Sequence, residues 1–280
     1  MKDREQIAQA LAASGYIADS ELATAVSLMQ RLRRPLLLEG EAGVGKTEVA
    51  KALASVHATE LIRLQCYEGL DQSSSLYEWN YQRQLLAIQA HRGDGGSIED
   101  QIFSEKYLLE RPLLAAIRRE KPPVLLIDEI DRADDEFEAF LLEFLADFAV
   151  TIPELGTITA ARRPTVFLTS NRTRELHDAL KRRCLYQWID YPGAELEREI
   201  VRTRIPGVSE TIASRVVTAV SRLREQGDLY KLPGVGETIV WARALLQLGE
   251  DADLEETLGV ALKVHEDMER VIARGVLDGV

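Results

Sequence analysis

Short unbroken apolar runs punctuate the chain, and stretches with helical spacing lie between them. Leu36-Leu37-Leu38 follows Pro35, Leu61 to Gln65 forms a second run, Val124 to Ile127 follows Pro122-Pro123, and Thr165 to Thr169 makes a fourth. Such runs predict strands buried on both faces. Between them, residues 19–34 carry Leu22, Ala25, Val26 and Met29 at i, i+3, i+4 and i+7, with Asp19 or Ser20 as a cap. Val49, Ala50, Leu53 and Ala54 share one face of a helix predicted over Glu48 to Val56. Phe137, Phe140, Leu141, Phe144 and Leu145 do the same over Glu136 to Phe148. Strands alternating with helices predict an α/β fold, a parallel sheet covered on both faces.

The stretch from Glu68 to Pro112 is less regular. It holds a predicted helix from Tyr81 to Ala90, a glycine-rich break from Arg92 to Ser97 and an extended piece from Ile102 to Leu109. Val150 to Ile158 suggests a hairpin. From Tyr191 onward the character changes: segments 194–204, 209–226, 236–249 and 253–273 read as helices. In the second of these Ile212, Val216, Val217, Val220 and Leu223 mark one buried stripe. A boundary near Tyr191-Pro192-Gly193 predicts a core over 1–190 and a smaller all-helical domain over 191–280.

Composition narrows the function classes. A chain of 280 residues, 46% apolar and 29% charged, can bury a proper core and is neither disordered nor fibrous. Lys and Arg number 34 against 46 Asp and Glu, a net charge of −12 that disfavours general nucleic-acid binding. Cys66 and Cys184 lie far apart without metal-ligand spacing, which excludes a disulfide framework or a zinc ribbon. With no apolar leader and no run of membrane length, the expected location is cytoplasmic.

Gly40-Glu41-Ala42-Gly43-Val44-Gly45-Lys46-Thr47 fits G-x-x-x-x-G-K-[ST] and sits between an apolar strand and a helix. Glycines let successive backbone N–H groups converge on phosphate oxygens. Lys46 supplies a cation for the β and γ phosphates, and Thr47 offers a hydroxyl to Mg²⁺. A Gly-rich turn that merely precedes Lys-Thr would not need that strand–helix setting. The expected ligands are therefore a nucleotide and Mg²⁺, with ATP and GTP both open to these residues.

The run Val124 to Ile127 ends in Asp128-Glu129. A carboxylate at the carboxyl end of a strand suits the Mg²⁺ water shell, the expected role of Asp128. Glu129 can polarise an attacking water as general base. A plain helix-start cluster accounts for Asp134, Asp135 and Glu136 through the helix dipole. It does not account for two carboxylates directly behind a buried run.

This order of motifs resembles the AAA+ ATPases: a phosphate loop, an apolar strand ending in Asp-Glu, a strand ending in Thr169-Ser170-Asn171, and a helical C-terminal part. PLLLEGEAGVGKTEVAKALA, LLIDEIDRADDEFEAFLLEFLADFAVTIPELGT and FLTSNRTRELHDALKRRC are similar to the MoxR branch. LQCYEGLDQSSSLYEW and LPGVGETIVWARAL are similar to the members encoded with molybdenum–copper carbon monoxide dehydrogenase. The resemblance spans residues 15–275 and implies a P-loop NTPase core (αβα) with a helical lid. It implies that Asn171 is the sensor-1 residue at the γ-phosphate or the lytic water, against a simple turn-capping asparagine. It implies that Arg183 is an arginine finger acting on a neighbouring subunit, with Arg182 as the alternative and a solvated helix end as the bland reading. Arg243 would be the sensor-2 arginine of the lid, and Gln65 the polar partner that holds Glu129 until substrate binds.

The resemblance further implies a homo-oligomer, a hexameric ring, that remodels a metalloenzyme client through a von Willebrand factor A-domain adaptor. The client expected is a molybdenum-containing carbon monoxide dehydrogenase. Tyr67, Tyr77, Trp79 and Tyr81 read equally well as a client-gripping surface or as packing against the sheet. Tyr16 and Ile17 are candidates for the adenine pocket, and Arg162-Arg163 reads as a solvated loop. Two rival functions fit the motifs: a nucleic-acid-associated ATPase such as a loader or restriction motor, and an ATP-gated scaffold. The intact Asp128, Glu129 and Arg183 set argues against the scaffold.

Overall fold

A computed structural model describes residues 2–90 and 102–280. A five-stranded sheet runs in the order β2-β5-β8-β1-β9, with β1 Leu36–Glu39, β2 Leu61–Gln65, β5 Val124–Asp128, β8 Thr165–Ser170 and β9 Leu185–Trp188. The β2–β5, β5–β8 and β1–β8 ladders are all parallel. The three central strands are apolar because helices cover both faces, and every residue of β1 and β5 is buried. The edge strand β2 alternates instead, with Ile62 and Leu64 buried and Arg63 exposed between them.

Register decides what the sheet presents at its carboxyl end. Gln65 pairs with Asp128, Ile127 with Leu168, Leu38 with Thr169 and Glu39 with Ser170. Gln65, Asp128 and Thr169 therefore share one row across β2, β5 and β8.

Most predicted elements are found within a residue or two: helices Ser20–Leu32, Lys46–Val56, Tyr81–Ala90 and Asp135–Asp147, and a hairpin of β6 Ala149–Ile152 with β7 Gly156–Thr159. The piece from Ile102 to Leu109 is not extended throughout. Tyr107 is buried, its carbonyl accepts the Asn80 N–H at 2.8 Å, and Glu105–Tyr107 curls into a 3₁₀ turn. Only β4 Leu108–Glu110 is strand, paired antiparallel with β3 Tyr77–Trp79. The glycine-rich break at Arg92 to Ser97 lies outside the described residues. The helix predicted over 253–273 is broken into a 3₁₀ turn, Leu258–Val260, and a helix, His265–Ala273. Thr257 is the cause, since its hydroxyl competes for the Asp253 and Leu254 carbonyls and accepts the Trp241 indole N–H at 2.8 Å. Helices Lys2–Ala13 and Pro112–Arg118 and strand β9 had no expectation from sequence.

The chain divides into two compact units. One holds the sheet and comprises Glu21–Glu39 and Ala50–Gln187. Its core gathers Leu37, Leu125, Ile127 and Leu168 with Phe137, Leu141 and Phe144 of the helix after β5. The other comprises the N-terminal segment to Ser20, Gly40–Val49 and Trp188–Val280. Its core packs Ile212, Val216, Val217 and Val220 against Trp241, Ala242 and Leu245. Among the described residues no helix is long and apolar enough to cross a membrane.

Candidate functional site

In the first unit the carboxyl end of the sheet carries a closed ring of polar contacts. Asp128 ends β5 with its side chain 3% exposed, and its Oδ2 accepts Arg63 Nε at 2.9 Å and Nη2 at 2.5 Å. Its Oδ1 accepts the Thr169 hydroxyl. Thr169 Oγ1 in turn accepts the Glu129 N–H at 2.9 Å. Gln65 Nε2 donates to Glu129 Oε2 at 3.0 Å, the pairing expected of Gln65, and Gln65 Oε1 accepts from Arg63 Nη2. Arg132 Nε also lies 3.1 Å from Glu129 Oε2.

Glu129 stands in the left-handed region at φ 55°, rare for a residue with a β-carbon and costly by about 1–2 kcal/mol. The strand cannot continue through it, so its carboxylate leaves the sheet and meets β2. Burial pushes the Cys66 thiol, next to Gln65, up to about 12, with Asp128, Asp131 and Glu129 adding to the effect. The strand end is thus a concentrated negative region.

Asn171 follows β8 and is half-buried. Its N–H donates to Asp131 Oδ2 at 3.1 Å, and Thr173 N–H and Oγ1 reach the same oxygen at 2.8 Å each. Asp131 is buried, and it fixes the 171–173 turn rather than the following helix. Arg172 is left-handed at φ 57°, its N–H held by Ser170 Oγ at 3.0 Å. Asp134 is the helix cap, accepting the Phe137 N–H at 2.8 Å. Buried Glu138 pairs with Arg174 and accepts the His177 N–H at 3.0 Å.

Arg183 ends the short helix Asp178–Arg183 and takes no part in the ring at the strand ends. It makes no ion pair among the described residues, whereas Arg182 lies 4.0 Å from Asp178. Arg34 pins the helix end, donating to the Arg183 carbonyl at 3.2 Å and the Arg182 carbonyl at 2.5 Å. The aromatic stretch splits. Trp79 is buried edge-on against Phe103 at 5.3 Å, while Tyr67 and Tyr81 are exposed. Arg163 lies 5.3 Å from the centre of the Phe148 ring.

In the second unit, Gly40 to Thr47 form the loop that continues from β1 in the chain. A side chain at Gly40 would meet the Ile189 carbonyl oxygen at 2.0 Å. Gly43 and Gly45 have φ of 81° and 96°, backbone conformations that only glycine readily adopts. Lys46 is buried, its Nζ donating to the Gly40 and Glu41 carbonyls at 2.6 Å each. Gly43 also touches the helical part: its carbonyl accepts the Val235 N–H at 3.0 Å, and a β-carbon on Gly234 would meet Gly43 Cα at 2.7 Å.

The segment carrying that contact is itself held by a buried network. Glu197 accepts from Arg224 at 2.7 and 2.9 Å and from the Thr238 hydroxyl at 2.6 Å. Arg224 Nε donates to the Pro233 carbonyl at 2.9 Å and stacks 4.3 Å from the Tyr191 ring centre. Arg243 is exposed on helix Val235–Leu248 and donates to the Arg204 carbonyl at 3.4 Å. Arg204 pairs with Glu48, just after the loop, at 3.4 Å. Tyr16 lies 3.7 Å from the β-carbon position of Gly45, and burial, then Asp19 and Glu48, push its hydroxyl well above the usual range.

These donors fit a phosphate anion and a hard cation. A buried ammonium in a glycine-rich loop that opens the eleven-residue helix Lys46–Val56 suits a phosphate. Each unit by itself holds a hard oxygen donor, the Thr47 hydroxyl in the one and the Asp128 carboxylate in the other. Among the described residues no group of three His, Cys, Asp or Glu side chains could hold a metal ion.

The roles of Arg63, Thr169 and Asp131 are not expected from the sequence. The available signals were an arginine two positions before Gln65 on an alternating strand and a threonine ending an apolar one.

The family model for the AAA domain (dynein-related subfamily) matches residues 35–184, more than half of the chain. An uncharacterised protein of Staphylococcus haemolyticus is 24% identical over 254 residues, 88% of this chain and 84% of that protein. An uncharacterised protein of Staphylococcus aureus is 24% identical over 268 residues, covering 93% and 90%. The chaperone protein ClpB 2 of Parasynechococcus marenigrum is 32% identical over 151 residues, 51% of this chain but 14% of that protein.

Proposed function

Because the chain belongs to the AAA domain family, dynein-related subfamily, we propose that it is a Mg²⁺-dependent ATPase that assembles as a ring and remodels a protein client. The observation that carries the reading is the strand end. Asp128 is buried and doubly bonded, and Glu129 next to it is held in a strained backbone with its carboxylate engaged by Gln65. Strain of this kind persists where the surroundings over-determine it, as at sites of chemistry.

The loop Gly40–Thr47 binds the phosphates through its amides, with Lys46 moving from the loop carbonyls to the β and γ oxygens. Thr47 and Asp128 would hold Mg²⁺, which neutralises charge on the phosphate oxygens. Glu129 takes the proton of the attacking water, and Asn171 orients that water. Arg183 of a neighbouring copy stabilises the charge developing on the γ-phosphoryl group. Arg243 reaches the nucleotide of its own chain, and Tyr16 flanks it. A core over 1–190 and a helical lid over 191–280 are the bodies that hydrolysis shifts.

Three motif strings support a finer reading as a hexameric ATPase of the MoxR branch, and LQCYEGLDQSSSLYEW and LPGVGETIVWARAL support one that matures the active site of a molybdenum-containing carbon monoxide dehydrogenase. It would work with a von Willebrand factor A-domain adaptor. The similarity to a protein named as a chaperone is in keeping with a protein client.

Mg²⁺-ATPase per subunit, followed against protein concentration, tests the reading. Wild-type specific activity should rise with concentration as the ring forms. Glu129→Gln should lower it about 10²–10⁴-fold, and Arg183→Ala about 10³-fold or more. A flat activity indifferent to both substitutions would overturn it. DNA stimulation that fades with salt would favour the loader or motor reading instead.

A further inference from the structure

Asp128 and Glu129 are usually thought of as separate groups, one for the metal and one for the water. Here a third side chain joins them. Arg63 lies on the edge strand β2, on the same side as Gln65 two residues on, because strand side chains alternate. Its guanidinium donates twice to Asp128 Oδ2, and the same Nη2 reaches Gln65 Oε1. With its oxygen bound to Arg63, the Gln65 amide must present Nε2 to Glu129, where it lies 3.0 Å from Oε2. Thr169 closes the circuit from the other side, donating to Asp128 and accepting from the Glu129 N–H.

Other acidic residues nearby are not tied in this way. Asp131 is held through Oδ2 by the turn that carries Asn171, its Oδ1 buried without a hydrogen-bond partner among the described residues, and Glu138 is held by Arg174 and the His177 N–H. Arg63 differs from those partners in being half in solvent, its side chain 50% exposed beside a carboxylate that is 3% exposed. An exposed guanidinium can leave without stranding a buried cation, which Arg174, at 30% and packed on a carboxylate of no exposure, cannot do as readily.

We propose that Arg63 is a latch: it holds Asp128 and, through Gln65, Glu129 in one resting arrangement, and arrival of the Mg²⁺–nucleotide releases both carboxylates together. The inference rests on the ATPase reading of the site and adds a positioning residue to it. A cation that approaches Asp128 Oδ2 competes with the guanidinium for that oxygen. When Arg63 withdraws, Gln65 loses the donor that fixes its amide, and its hold on Glu129 loosens in the same event, leaving the half-exposed Arg132 against Glu129 Oε2. Metal engagement and base release are thereby coupled, and nucleotide without metal leaves the base restrained.

A hydrolysis-independent titration tests this. Fluorescent ADP is bound to the full chain at increasing Mg²⁺, for wild type, Arg63→Gln and Arg63→Lys, with thermal unfolding to establish that each is folded. Arg63→Gln should lower the Mg²⁺ midpoint about two- to fivefold, the span of a half-exposed ion pair, with Mg²⁺-free ADP affinity unchanged. Its kcat for ATP should rise by a similar factor. Lysine keeps the charge but lacks the planar fork. Arg63→Lys should therefore return the Mg²⁺ midpoint to that of wild type while leaving kcat raised, since one ammonium cannot hold Asp128 and align Gln65 together. A midpoint unmoved or raised in Arg63→Gln overturns the latch while leaving the ATPase reading intact. Wild type that binds no ADP at all overturns the nucleotide site itself.

Discussion

Two buried carboxylates, one in each unit, are paired with arginine in opposite ways. Glu197 has no exposure, its Arg224 partner is 10% exposed, and the pair is bidentate, backed by Thr238 and covered by Tyr191. Asp128 is almost as buried, but its Arg63 partner stands half in solvent on an edge strand. Removing an ion from a sealed pair leaves the other charge without water, whereas an exposed partner is resolvated when released. The same residue types thus make a permanent clamp in one unit and a releasable tie in the other. The clamp holds the 233–238 segment, whose Gly234 touches the phosphate loop, and the tie restrains the residues assigned to metal and water.

The sharpest way to break the comparison is to remove one member of each pair. Glu197→Ala strands the Arg224 guanidinium and frees the Thr238 hydroxyl, and should destabilise its unit by about 3–5 kcal/mol. Denaturant unfolding should register the loss, as a lower midpoint or an early separate transition of the helical unit. If the cost is under about 1 kcal/mol, Glu197 is not sealed and the contrast collapses.

A smaller effect separates the clamp from what it holds. Gly234→Ala would set a methyl group 2.7 Å from Gly43 Cα and 2.9 Å from the Gly43 oxygen, both backbone atoms that cannot turn aside. Overpacking of this kind costs about 1–3 kcal/mol. Because the strain falls on the loop, ADP affinity should drop with it, measured by fluorescent nucleotide binding. Retained affinity would mean that the Gly43–Gly234 contact is incidental to phosphate binding.

The difference between the two regions also governs what the sequence could reveal. The loop, the strands and the Asp128-Glu129 pair are local patterns, legible because apolar runs and glycine spacing act over a few residues. The Gln65–Glu129 contact was expected only through the resemblance to the AAA+ ATPases; Gln65 ends β2, Glu129 follows β5, and the parallel register of the two strands brings them together. Arg63 and Thr169 were not reachable in that way. Their roles depend on which strands are neighbours in the order β2-β5-β8, which no stretch of sequence states. Glu197, Arg224 and Thr238 each look like ordinary helix residues, and only the packing of three helices turns them into one network. Asp131 lies in the same acidic run as Asp134, Asp135 and Glu136, the three that the helix dipole explains. The structure divides that run: Asp134 caps the helix, and Asp131 serves the turn after β8.

The smallest expected effect is the most diagnostic. Arg63→Gln should cost about 1–2 kcal/mol, less than Glu197→Ala, because the released guanidinium already stands half in water and Thr169 still donates to the buried Asp128 that loses its cation. The wild-type margin over Arg63→Gln should also shrink as salt rises toward 1 M, where screening acts over only about 3 Å. The Glu197→Ala deficit, lodged in a pair that water and salt do not reach, should be nearly independent of salt. Unfolding free energies of the three proteins at low and high salt therefore test the distinction directly. A salt-insensitive loss of several kcal/mol in Arg63→Gln would make Arg63 a second clamp, too firmly held to be released by an arriving metal ion.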